Sequence, residues 1–332
     1  MGKVLSLILN EHKAALSNLN MMQQSAFYSI GFIAQVRQQL ILKVQASQSA
    51  SNVQFEMVHC IIEELETLKQ QETSLDDVAE ACLVALQLMS NSQKQRFLGL
   101  LNRHEFTLLK HKLLQKSLTI SGPANSDLLN WANVYGKSET QAIIYKAIKR
   151  AVKQLPDMPE MQETVNVFEK AAMINSPLMS VYLLLLDPQR MNFVCNYVSQ
   201  QFTREQAIAV LLQTGATKYV PMAVALLTEV RSAKNLVAGI KRCLGSQLDE
   251  LVAFDTQIQA GDCKQAAVDF QRQFALSWPE QKIKFNDQTL VYGFAMNRPV
   301  SVASLQGVDF FSWQVITILN AIKYDCRNSQ AS

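Results

Sequence analysis

Apolar residues recur at helical spacing along most of this chain. Val4, Leu5, Ile8, Leu9, Leu16 and Leu19 mark an amphipathic stretch over residues 3–24, and Ile30, Ile33, Val36, Leu40 and Val44 mark a second over 26–46. Intervals of three and four put such residues on one face of a 3.6-residue turn. The polar tract QASQSASN at 45–52 is expected to separate these from a third helix over about 53–70. Ser74 opens a fourth, whose stripe runs Val78, Ala81, Cys82, Ala85, Leu86 and Met89. One or two further helices fit 92–117, and SGPANSD at 121–127 reads as the main boundary.

Beyond that boundary the pattern repeats in helix pairs over 127–155, 160–187, 188–214 and 216–245. In the first pair, Ser138 and Gln141 have capping-box spacing, and Ile144, Ile148, Ala151 and Leu155 form the inward stripe. Ser176 followed by Pro177 is an N-cap with proline at the first helical position. Thr203 and Gln206 make a second capping box. Gly215 and Gly245 end the last two pairs, 30 residues apart. A pair this short cannot bury its own apolar stripe, so each is expected to pack on the next. The expected result is a short right-handed α-solenoid, the alternative being an irregular helical bundle with a chance period.

The C-terminal part is less regular. Residues 248–275 read as helical, WPEQ at 278–281 as a break, and KIKFNDQTLVY at 282–292 as a β-hairpin turning at Asn286 and Asp287. A last helix over about 309–325, with Phe311, Val315, Ile318, Leu319 and Ile322 facing inward, is expected to cap the stack. The expected fold is thus all-α. It comprises an N-terminal helical domain (1–121), HEAT-like repeats of about four helix pairs (126–245), and a small C-terminal helical cap with a short hairpin (246–332).

Composition agrees with this reading. The chain has 332 residues but only 11 Gly and 8 Pro, few for a turn-rich β protein. Its net charge of +3 is too balanced to imply nucleic acid or membrane by bulk electrostatics. Six scattered Cys, none at CxxC spacing, fit buried thiols in a reducing compartment. The apolar run Val4–Leu9 is too short for a signal peptide, and SVYLLLLD at 180–187 is too short to span a bilayer. A cytoplasmic protein without a membrane partner is expected.

Candidate chemistry is sparse. No nucleophile elbow, zinc-protease, P-loop or dinucleotide-binding motif occurs. His104 and His111 share a helical face but lack further converging ligands, so no metal and no cofactor is expected. Asp76 and Asp77 suit a helix N-terminus. The one suggestive polar feature is Lys146, Lys149, Arg150 and Lys153, opposite the apolar stripe of their helix. They are the candidate partner-binding residues. Such a stripe can meet phosphate backbone, although the single nearby ring, Trp131, makes no base-stacking platform.

Three motifs together resemble a family of bacterial HEAT-like repeat proteins, some encoded near type VI secretion genes. They are the His-containing first helix EHKAALSNLNMMQQSA at 11–26 leading to SIGFIAQVRQQLILKVQA at 29–46, the repeat ending AKNLVAGIKRCLG at 233–245, and Phe294 followed by Asn297, Arg298, Pro299, Val300 and Ser301. Asn297 stands where the family usually has Gly. The resemblance implies a helical-repeat fold and no enzymatic residues. The expected function is a non-enzymatic scaffold or adaptor for a protein partner. The rivals are a nucleic-acid-binding repeat protein and an enzyme using a lone acid.

Overall fold

The computed structural model describes residues 4–49, 57–68, 74–90, isolated positions between 93 and 113, and then 139–171, 173–230, 233–285, 288–320 and 322. Over these the chain is all-α apart from one two-residue hairpin. It divides into two compact units, residues 1–24 with 30–134, and residues 25–29 with 135–332. The expected boundary at 121–127, the Ser138 capping box, His104, His111 and Trp131 lie outside the described residues.

In the first unit, α1 (Val4–Glu11), α2 (Lys13–Gln24) and α3 (Ile30–Ser49) pack on α5 (Leu75–Leu88), while α4 (Met57–Leu68) packs on α1. Helix α5 is buried continuously from Val78 to Ala85, so over this stretch it is a central helix with no solvent face. The first expected helix is interrupted at His12, for which we have no physical account. The polar tract does not end α3, which continues through Gln45 and Ala46 to Ser49; both are good helix formers. Asp76 and Asp77 lie in the first turn of α5, as the dipole favours.

The second unit holds ten helices among the described residues. These are α6 (Glu139–Val152), α7 (Met158–Lys170), α8 (Pro177–Leu185), α9 (Pro188–Gln201), α10 (Arg204–Gln213), α11 (Val220–Leu226), α12 (Lys234–Leu244), α13 (Phe254–Ala260), α14 (Lys264–Phe285) and α15 (Phe310–Asn320). Their starts follow from local chemistry. Asp157, Ser176, Asp187 and Thr203 each accept a bond from a first-turn N–H, and Pro stands in the first turn of α7, α8 and α9. The Thr203–Gln206 capping box is complete.

Packing joins helices close in sequence: α6 with α7 and α8, α7 with α9, α8 with α10, α9 with α10, α10 and α11 with α12, and α13 with α14. One apolar core runs from Cys195 on α9 to Leu290. Within it α12 buries Leu236, Val237, Ile240 and Leu244, each contributing about 1.5–3 kcal/mol relative to exposure.

Gly215 and Gly245 take positive φ, 71° and 61°. Both abut the hairpin of β1 (Leu290–Val291) and β2 (Phe294–Ala295). A Cβ on Gly215 would lie 2.5 Å from the Leu290 carbonyl oxygen, and one on Gly245 would strike that of Tyr292. Leu290 N–H donates to Gly215 O at 2.8 Å, and Gly293 N–H to Cys243 O at 2.9 Å. The 30-residue glycine spacing therefore marks where the hairpin backbone crosses the ends of α10 and α12.

Three C-terminal expectations need correction. Helix α14 does not break at WPEQ but runs through Pro279. Trp278 is stacked between Phe274 (4.9 Å) and Phe285 (5.4 Å), and these rings hold the two sides of the proline together. The hairpin turns at Tyr292 and Gly293, both with positive φ, rather than at Asn286 and Asp287, which lie outside the described residues. The last helix has α8 and β1 as its main partners. On it Val315, Ile318 and Leu319 are buried as expected, whereas Phe311 is half-buried and Phe310, Trp313 and Ile316 join the core.

Candidate functional site

Helix α6 carries the expected basic stripe. Ile144, Ala147, Ile148 and Ala151 are buried, which turns Lys146, Lys149 and Lys153 to solvent. Leu155, expected in the inward stripe, is 52% exposed. The helix has ended by then, and Gln154 at φ 55° redirects the chain. The Gln154 amide donates to Leu185 O at 2.6 Å, and its oxygen accepts from Asp187 N–H at 3.1 Å. Arg190 Nε donates to Pro156 O at 2.9 Å. These bonds tie the end of one helix pair to the turn of the next.

The four basic residues are not electrostatically equivalent. Arg150 lies 2.5 Å from the Glu160 carboxylate and donates to Leu155 O at 3.2 Å. Much of its charge is thus spent within the α6–α7 pair. The three lysines are exposed, and exposed cations hold an anion weakly and with strong salt dependence.

A small cleft lies among α8, α10, α12, β1 and the start of α15. Its volume is about 50 Å³, and Asn175, Gln213, Asn235, Arg242, Phe311 and Ser312 supply most of its character. Small-molecule and cofactor sites need several hundred Å³. Two of these groups, Gln213 and Arg242, are engaged in holding the fold. Gln213 donates to Ile174 O at 2.7 Å and accepts from the Ser180 hydroxyl at 3.0 Å. The Arg242 guanidinium lies 4.2 Å over the Phe311 ring, and its Nε donates to Asp309 Oδ1 at 3.4 Å. That same oxygen caps α15 by accepting from the N–H groups of Phe311 and Ser312. The cleft is a junction between the hairpin, α15 and the helix row.

Other titratable groups also serve packing. Lys241 is only 3% exposed and pairs with Asp249 at 2.7 Å, with Gln257 donating to the same carboxylate oxygen. Burial pushes the Cys243 thiol up to about 12, and raises those of Cys82 and Cys195 as well. Such thiols stay protonated and make poor nucleophiles and metal ligands. Cys263 is exposed. Among the described residues no three His, Cys, Asp or Glu side chains converge as a metal site would need, and no helix is long and apolar enough to cross a membrane.

Sequence reasoning missed the buried ionic groups, although each left a signal. Arg37 lies between Ile33 and Leu40 on the inward stripe of α3, and it forms a bidentate pair with Glu80 on α5, at 3.1 and 2.9 Å. Lys241 shares its stripe with Val237 and Leu244. A charged residue at an apolar-stripe position is the signature of an internal pair. Comparison of the chain with protein-family models, curated proteins and solved structures gave no match.

Proposed function

We propose that this protein is a non-enzymatic scaffold or adaptor of HEAT-like architecture that binds a protein partner through its helix row. The observation that carries the proposal is the contact order of α6 to α14. Helices α6 and α7, α9 and α10, and α13 and α14 pack as pairs, and α6, α8, α10 and α12 touch in succession. Stacked helix pairs of this kind present extended surface and owe their stability to nearest neighbours. Gln213 and Arg242 of the cleft and Lys241 of the core are absorbed by turns, caps and ion pairs, which favours binding as the use for that surface. The resemblance of the sequence motifs to proteins encoded near type VI secretion genes makes a cytoplasmic assembly of that kind the working context.

A nucleic-acid reading rests on Lys146, Lys149 and Lys153, which are exposed. It is the weaker one because Arg150 is neutralised by Glu160. Affinity capture from source-cell lysate separates the two. The scaffold reading expects the same protein partner in low salt, in high salt and after nuclease. Recovery of nucleic acid alone, lost at high salt, would replace it.

A further inference from the structure

Helix α15 is buried on nine of its eleven residues, and the buried set is not all apolar. Phe310, Trp313, Val315, Ile316, Ile318 and Leu319 are buried beside Ser312, Gln314 and Thr317, with Asp309 at the cap. Ser312 Oγ, Gln314 Nε2, Thr317 Oγ1 and Asp309 Oδ2 make no hydrogen bond to any protein group. A buried polar atom left unmatched opposes docking by more than a matched one favours it. No other described helix of residues 135–332 gathers so many such atoms; on α12, with Leu236, Val237, Ile240, Cys243 and Leu244 buried, there are none. Beneath α15 lies α8, whose residues Leu178 to Leu185 are all buried and, Ser180 and Tyr182 apart, aliphatic or Met. Among the described helices of residues 135–332, the least well-matched thus lies over one of the most apolar.

We infer that α15 is a releasable helix, which opens as a local unit before the rest of residues 135–332 and bares α8 for an amphipathic helix of a protein partner. Local units with poorly matched contacts open at lower free energy than the core around them. The occupant is set by what α15 itself presents, aromatic and aliphatic anchors at helical spacing. A partner helix with apolar residues in place of Ser312 and Thr317 would dock without the same penalty. The occupant rests on the partner-binding reading above, whereas the opening does not.

Hydrogen exchange on the full chain, read by mass spectrometry, tests the opening. Amides of α15 are expected to exchange at least about a hundredfold faster than those of α10 and α12. Ser312→Ala combined with Thr317→Val should slow α15 at least about tenfold, equivalent to about 1.4 kcal/mol, and leave α10 unchanged. Exchange of α15 at the rate of α10, or no slowing in the double variant, overturns the proposal. A labelled synthetic peptide of residues 308–322 carrying the same two substitutions then probes the occupant by fluorescence polarisation. Saturable binding to the full chain supports it, and no binding when α15 is seen to open overturns that part. Failure of the lysate capture with opening intact would discard the scaffold reading and keep the releasable helix.

Discussion

Removing the Arg37 side chain should be among the most damaging single changes in the first unit. Arg37 is 2% exposed and Glu80 0%. Glu80 is held by two bonds from Arg37 and one from the Gln23 amide at 2.6 Å. Arg37→Ala takes an opposite charge away from a carboxylate that sits in the fully buried stretch of α5. Breaking a buried pair in this way costs about 3–5 kcal/mol, against a total stability of about 5–15 kcal/mol for a typical domain. Replacing these three side chains together is a different matter. Arg37→Met with Glu80→Leu and Gln23→Leu removes charge and partner together, and buried pairs exchanged for apolar residues of similar size are often neutral. Urea unfolding followed by circular dichroism measures both, with hydrogen exchange of α5 amides assigning the transition to this unit. The single variant is expected to lose about 3 kcal/mol or more, and the triple variant less than about 2 kcal/mol. A loss under about 1 kcal/mol in Arg37→Ala, or equal losses in both variants, would refute the reasoning.

Four further outcomes follow from the same structure. Gly215→Ala and Gly245→Ala should each cost more than about 2 kcal/mol by thermal melting, since a Cβ meets hairpin backbone as well as an unfavourable φ; melting unchanged from wild type would contradict the crossing. Cys263 should alkylate rapidly in the folded protein at neutral pH while Cys82, Cys195 and Cys243 react on unfolding, as peptide mapping will show. Burial moves the Cys243 thiol from 9.0 to about 12, so the folded state holds its proton more tightly than the unfolded one. Its contribution to stability is full below the unfolded value, declines as pH rises from there, and is gone above the folded one; denaturation midpoints that rise through that alkaline range would contradict this. Changing Lys146, Lys149 and Lys153 together to Glu should leave capture of a salt-resistant protein partner unchanged, and its loss would place the partner on α6.

The sequence carried the fold wherever helix starts are written in local chemistry. Ser176–Pro177 and Thr203–Gln206 begin helices as their hydroxyls require, and Gly215 and Gly245 mark helix ends. Legibility fell where tertiary contacts override a local signal. Pro279 should stop a helix, but the Phe274, Trp278 and Phe285 rings carry α14 across it. Asn286–Asp287 is a good turn pair, yet the register of β1 is set by Gly215 and Cys243 carbonyls far off in sequence. The placement of α15 on α8 could not be read from either helix alone, since both are apolar on most faces. Of the candidate site, the exposure of three lysines was legible from the opposing Ile144–Ile148 stripe, whereas the neutralisation of Arg150 depended on how α7 folds back.

The central claim, that the helix row of residues 139–285 binds a protein, is tested most directly by cross-linking mass spectrometry on the nuclease-treated, salt-washed complex captured from lysate. The account predicts cross-links to the partner from lysines along that row, including Lys170, Lys218 and Lys264. A partner linked through residues 1–121 alone, or a captured complex whose retained component is nucleic acid, would contradict it.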